Sequence, residues 1–191
     1  TNLATVFAQA GERTLLVDAD MRCPRLHTVF EMENLEGLTN VLVSEKHDIH
    51  SFIQKTKIPN LDLLMSGVVP PNPSELLVSK KMESFIAKAS QDYDRIIFDS
   101  PPILAATDAV ILSTKVDATI LIVRSGFTHR QAVQSSVNAF KSVNARILAV
   151  VLNMVDFYGQ GHHYGYSLYE PNTRAKIAAR TKAGSIFKKF L

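Results

Sequence analysis

The 191-residue chain predicts an α/β domain, a largely parallel sheet with helices on both faces, and three observations carry that prediction. Five short apolar runs are spaced along the chain like buried strands. Helical patterns separate them, which calls for right-handed crossovers and so for parallel neighbours. Two of the runs, Leu15-Leu16-Val17 and Ile96-Ile97-Phe98, end in an aspartate, at the strand ends where open α/β sheets bind their ligands. With 46% hydrophobic residues the chain is long enough for one well-buried domain.

Taken in order, Leu3, Val6, Phe7 and Ala10 follow helical i, i+3, i+4, i+7 spacing from the outset, as if a helix were entered part way along, and Gly11 ends it. Thr1 is not an initiator methionine, so the chain is expected to be a fragment whose amino end is missing. A first strand is expected over 13–17, then a polar turn with Pro24 and a loop. Leu38, Val41 and Leu42 suggest a short helix, Ile49, Phe52 and Ile53 another, and 60–65 a second strand. Pro70, Pro71 and Pro73 lock φ and lack amide donors, making 67–73 a stiff connector that delivers Ser74 as N-cap of a helix over 75–78. A longer helix over 79–90 buries Met82, Phe85, Ile86 and Ala89. A strand over 95–99 follows, after which Pro101-Pro102 forces the chain out of the sheet. A helix over 108–113, a strand over 118–123, a helix over 130–142 and a strand over 146–152 complete the pattern. There is no internal repeat and no second domain.

The net charge of +3 conceals an asymmetry. Arg174, Lys176, Arg180, Lys182, Lys188 and Lys189 lie in 171–191 with no acid, whereas the rest of the chain has more acids than bases. The pI near 9.0 therefore belongs to the tail and does not argue for nucleic-acid binding by the domain. The single cysteine, Cys23, excludes an internal disulfide and the usual zinc spacings, and points to a reducing, cytoplasmic compartment. No apolar run approaches the roughly 20 residues that span a bilayer.

Asp18 and Asp20, one residue apart after the first strand, are either surface loop acids or half of a cation site. Asp99, ending a second strand, would bring a third carboxylate to the same sheet edge if the strands are adjacent. Three acids in one crevice need a cation, and magnesium prefers few carboxylates plus phosphate oxygens and water, so a nucleoside triphosphate is the natural ligand. Water as nucleophile would make the site an ATPase; a protein hydroxyl would make it a kinase.

Leu15-Leu16-Val17-Asp18-Ala19-Asp20-Met21-Arg22 resembles the Walker A′ motif, and Ile96-Ile97-Phe98-Asp99-Ser100-Pro101 the Walker B motif, of bacterial tyrosine kinases of the polysaccharide co-polymerase family. Gly67 with Pro70-Pro71-Asn72-Pro73-Ser74-Glu75-Leu76-Leu77 resembles a further segment typical of them, which separates them from partitioning ATPases of the ParA and MinD type. The resemblance implies a P-loop NTPase-like domain over 1–157 that uses ATP and Mg2+. It implies that Asp18 is the base or orienting acceptor for a tyrosine hydroxyl, that Asp20 and Asp99 are direct or water-mediated magnesium ligands, and that Arg22 is a local charge partner. Asn153 is then a contact to adenine or a turn former, and Arg124 a nucleotide contact or a surface arginine. The family's Gly-Lys-Ser/Thr loop is expected just upstream of Thr1; the sequence as written lacks it and should bind ATP poorly.

The segment 158–191 is expected to be a flexible tail. Tyr158, Tyr164, Tyr166 and Tyr169 fall among Gly159, Gly161 and Gly165, as phosphoacceptors threading into a neighbour's active site or as rings packed on the domain. Ile186, Phe187, Phe190 and Leu191 alternate with Lys188 and Lys189, a pattern for docking on anionic lipid or simply a basic tail. The family implies self-association into rings, a transmembrane co-polymerase activator fused or separate, a tyrosine phosphatase, and residence at the inner face of the plasma membrane. Two functions stand. One is an ATP-dependent tyrosine kinase that autophosphorylates its tail and regulates exopolysaccharide and capsule export; the intact protein would be the enzyme. The other is a MinD/ParA-like ATPase switch controlling dimerisation and membrane attachment.

Overall fold

A computed structural model describes residues 1–44 and 48–155; the tyrosine cluster and the basic tail lie outside the described residues. The chain divides into units Thr1–Asn153 and Met154–Leu191.

The first unit is built on β1 (Thr14–Asp18), a run of five buried residues that no helix-length pattern could claim. It lies between β3 (Leu61–Leu64) and β4 (Arg95–Asp99), parallel to both, and β2 (Gln54–Lys55) adds a short antiparallel edge beside β3. Period-two alternation sends Leu15 and Val17 to one face and Leu16 to the other. On the first face they meet α3 (Leu38–Val43), α5 (Lys80–Asp92) and α6 (Asp108–Ser113) through Leu38, Leu42, Met82, Phe85 and Leu112. On the second, Leu16 meets Ala4 and Ala8 of α1 (Asn2–Gln9) and Leu26 of α2 (Leu26–Phe30).

Helix α1 corrects one expectation. Ala4 and Ala8 face the sheet, while Leu3 and Val6 of the expected apolar stripe are exposed. Alanine lets the helix axis lie close to the strands, and the larger side chains then point outward. Gly11 follows the helix with φ +93, the left-handed conformation that glycine takes without a Cβ clash. Ser74 is a second correction: Asn72 takes the N-cap position of α4 (Pro73–Val78) without a side-chain capping bond, Pro73 is the first helical residue, and the Ser74 hydroxyl is used elsewhere.

At the start of α3 the backbone comes so close to the exit of β3 that Leu38 N–H donates to the Met65 carbonyl at 2.7 Å and Thr39 N–H to that of Ser66 at 2.9 Å. A Cβ on Gly37 would lie 2.0 Å from the Met65 oxygen. Gly37→Ala is therefore expected to destabilise the protein by about 1–3 kcal/mol, read as a lower urea midpoint at unchanged m-value.

The expected single parallel sheet is two. β5 (Thr119–Arg124) and β6 (Ile147–Asn153) pair with each other in parallel, linked by α7 (Arg130–Ser142), and neither hydrogen-bonds to β4. With one partner each, these strands are not enclosed: Ile122, Leu148, Val150 and Leu152 are more than half exposed despite their apolar side chains. Among the described residues no helix is long and apolar enough to cross a membrane.

Candidate active site

The register of the central sheet sets Asp18 directly opposite Asp99, at the carboxyl ends of two adjacent parallel strands. Ala19 N–H continues the ladder to the Asp99 carbonyl at 2.8 Å, so the loop bearing Asp20 leaves the sheet beside Asp99. The three carboxylates that the sequence reading brought to one edge are thus brought together.

Their surroundings differ. Asp18 is 1% exposed, and its oxygens are occupied by loop amides: Oδ1 accepts from Asp20 N–H at 3.2 Å, and Oδ2 from Arg25 N–H at 3.2 Å and Leu26 N–H at 3.1 Å. Burial pushes its carboxyl above the usual range, the Asp99 charge adds to the rise, and these amides partly offset it. It therefore also satisfies the first amide of α2, a helix the sequence reading left as loop. Asp20 closes its own turn, with Oδ1 accepting from Arg22 N–H at 3.2 Å and Cys23 N–H at 2.9 Å. Its Oδ2 has no hydrogen-bond partner among the described residues. Asp99 is exposed by surface area, yet enough protein surrounds its carboxyl for desolvation to push it up, and the Asp20 charge reinforces this.

Arg22 pairs with a different acid, although its charge still acts on Asp20. Its guanidinium grips Asp108 of α6 in a fork, Nε to Oδ2 at 2.8 Å and Nη2 to Oδ1 at 3.1 Å. Ser74 of α4 closes the triangle, donating to Asp108 Oδ1 at 2.6 Å and accepting from Arg22 Nη2 at 3.0 Å. Burial alone would raise the Asp108 carboxyl, but the Arg22 and Ser74 hydrogen bonds and the Arg22 charge hold it below its usual value. Asp108 escaped the sequence reading as a site residue because it reads as the first acid of a helix. The only available signal was an acid opening an otherwise apolar helical stretch, Asp108-Ala109-Val110-Ile111-Leu112.

Arg124 and Asn153 are register partners at the carboxyl ends of β5 and β6, on the other sheet from the three aspartates. The Arg124 guanidinium lies 4.9 Å from the centre of the Phe127 ring. A cavity lined by Val41, Ile49, Phe52, Lys80 and Phe85 lies apart from the carboxylates and uses none of the site residues.

The donor set suits a hard cation bound together with phosphates. Among the described residues no three His, Cys, Asp or Glu side chains are gathered tightly enough to hold a metal unaided. Magnesium does not ask for that: it takes one or two carboxylates and completes its shell with phosphate oxygens and water. The open Oδ2 of Asp20 beside the destabilised Asp99 charge is a fit of that kind.

Fold and site together define an α/β domain that gathers acids at the carboxyl edge of a parallel sheet. A family model described as an AAA domain matches residues 1–153. The chain is 43% identical over 152 residues to the tyrosine-protein kinase YwqD of Bacillus subtilis, covering 80% of this chain and 64% of that protein. It is 33% identical to the putative tyrosine-protein kinase CapB of Staphylococcus aureus, covering 86% of this chain and 72% of CapB. The solved kinase domain of the Escherichia coli tyrosine kinase ETK superposes with a TM-score of 0.77 at 32% identity, over 86% of this chain and 64% of that one. The chain belongs to the AAA-domain family and, within it, to the bacterial tyrosine-protein kinases. It spans less than two thirds of YwqD, and 24% of the tyrosine-protein kinase wzc of Salmonella typhi, to which it is 39% identical.

Proposed function

We propose that the protein is an ATP-dependent protein-tyrosine kinase that phosphorylates tyrosines of its own tail and thereby regulates exopolysaccharide and capsule export. The observation that carries this reading is the in-register pair Asp18 and Asp99 with the open Asp20 beside it. The kinase names of its relatives support the choice of a tyrosine hydroxyl over water as the nucleophile. Likeness to the cell division ATPase MinD of Pyrococcus furiosus, at 22% identity and a TM-score of 0.65, bears on the fold alone.

Bound Mg2+·ATP would supply the phosphoryl group and the cationic charge that offsets the charge developing on it. Asp20 and Asp99 would hold the ion. Asp18 holds the Asp20 loop in place through three amides, and Oδ1, which accepts only one of them, keeps a lone pair for a tyrosine hydroxyl. Asp18 is the proposed base or orienting acceptor for the tyrosine hydroxyl, which leaves the open Oδ2 of Asp20 to the ion. Asn153 and Arg124 would contact the nucleotide. The chain's part is mostly positioning and electrostatics, since phosphoryl transfer asks little covalent chemistry of a protein.

Tyr158, Tyr164, Tyr166 and Tyr169 are the proposed phosphoacceptors, presented to a neighbouring copy in a ring-shaped assembly. The proposed partners are a transmembrane co-polymerase activator at the inner face of the plasma membrane and an opposing tyrosine phosphatase, with anionic lipid contacted by the basic tail. Full-length protein incubated with ATP and Mg2+ should label with phosphotyrosine antibody, and the four Tyr→Phe changes together should remove the label. Wild-type protein that hydrolyses ATP and stays unlabelled would reverse the choice in favour of an ATPase switch.

A further inference from the structure

A guanidinium two residues from Asp20 would ordinarily be the first cation to reach the three carboxylates. Arg22 has the reach and the permanent charge to do so. Instead the fold commits a carboxylate with a side chain 0% exposed, Asp108, to capturing it. An acid so placed is costly unless it is paired and its oxygens are satisfied. Both conditions are met here, by the two-point grip of Arg22 and the Ser74 hydroxyl, and the three residues come from the segments that follow β1, β3 and β4: Arg22 from a loop, Ser74 and Asp108 from the first turns of α4 and α6.

We infer that Asp108, with Ser74, is a charge sink: it keeps the Arg22 guanidinium from pairing with Asp18, Asp20 and Asp99, so that a divalent cation meets those carboxylates without a guanidinium bound to them. The inference rests on the nucleotide-site reading above. Asp108 is a positioning residue, acting through Arg22 and touching neither metal nor nucleotide. A ligand-free role, in which the ion pair only ties α6 to the loop, would cost stability alone.

The test uses full-length protein with ADP and Mn2+ as the probe, the loss of the free Mn2+ resonance reporting binding without turnover. Asp108→Asn keeps the shape and removes the charge, releasing Arg22. Its Mn2+ affinity should fall about ten-fold, the size of effect that outer partners of a metal site have. In the phosphorylation assay the Mg2+ needed for half-maximal rate should rise by the same factor, with the rate at saturating Mg2+ nearly unchanged. The double change Arg22→Met with Asp108→Asn removes the released cation and should restore Mn2+ affinity to near wild type, although its melting temperature stays lowered. Arg22→Lys, which keeps the charge but loses the fork, should weaken Mn2+ in the same direction and serves if Asp108→Asn does not fold. Wild-type affinity in both single variants, or a double variant as weak as Asp108→Asn, overturns the charge sink. Wild-type protein that binds no Mn2+ with ADP overturns the nucleotide site itself, and this inference with it.

Discussion

Asp99→Asn should lower tyrosine phosphorylation by about 10²–10³-fold while raising the melting temperature of the metal-free protein at neutral pH. The first effect follows from removing one of two carboxylates proposed to hold magnesium, a loss comparable to deleting one preorganised electrostatic contact to a transition state. The second follows from the direction in which the fold moves the Asp99 carboxyl. Desolvation and the nearby Asp20 charge raise it above its ordinary value of 3.8, so the folded protein binds its proton more tightly than the unfolded chain does. Its contribution to stability is fully present below that value and is lost as pH rises through the raised one. At pH 7 the charge therefore works against folding, and an asparagine of the same shape relieves it. Calorimetry should show the variant more stable than wild type at pH 7, with the difference closing on acidification toward pH 4 and below. Added Mg2+ and nucleotide should stabilise wild type and leave the variant unmoved. A variant less stable than wild type at pH 7 without metal would show that Asp99 holds the sheet edge together in its own right.

The residues carrying that argument were legible before any coordinates. Two apolar runs ending in aspartate read as strands presenting their ends, and β1 and β4 hold Asp18 and Asp99 in register. The limits of α7 were legible: the helix expected over 130–142 runs over Arg130–Ser142. Other features were hidden for physical reasons. Hydrophobicity reports burial and not which strand pairs with which, so the separation of β5 and β6 from the central sheet left no mark in it. An apolar stripe usually marks the buried face, but alanine allows a closer approach than leucine, and α1 packs by Ala4 and Ala8. The Arg22–Asp108 pair joins residues 86 apart, and nothing local to either names the other. A hydroxyl just after prolines suggested a cap at Ser74, whereas Pro73 already opens the helix and frees that hydroxyl for Asp108.

Phe85→Ala should destabilise the protein by about 3–5 kcal/mol, the range for deleting a buried ring whose neighbours relax only partly. Phe85 is 1% exposed and is among the largest side chains sealed in the core over one face of the sheet. Its ring meets that of Phe98 edge to face, with centroids 6.4 Å apart and planes at 81°. Phe98 immediately precedes Asp99 on β4, so this contact joins the packing of α5 to the strand end that carries the proposed metal ligand. The loss should appear as a lower urea midpoint with the m-value unchanged. Phe85→Leu, which refills most of the space, should cost clearly less. If the ring also steadies Asp99, Phe85→Ala assayed cold, where the protein is still folded, should need more Mg2+ for half-maximal phosphorylation, and Phe85→Leu should not. An unchanged Mg2+ requirement in folded Phe85→Ala would confine this residue to the core and leave the placement of Asp99 to the β1–β4 ladder alone.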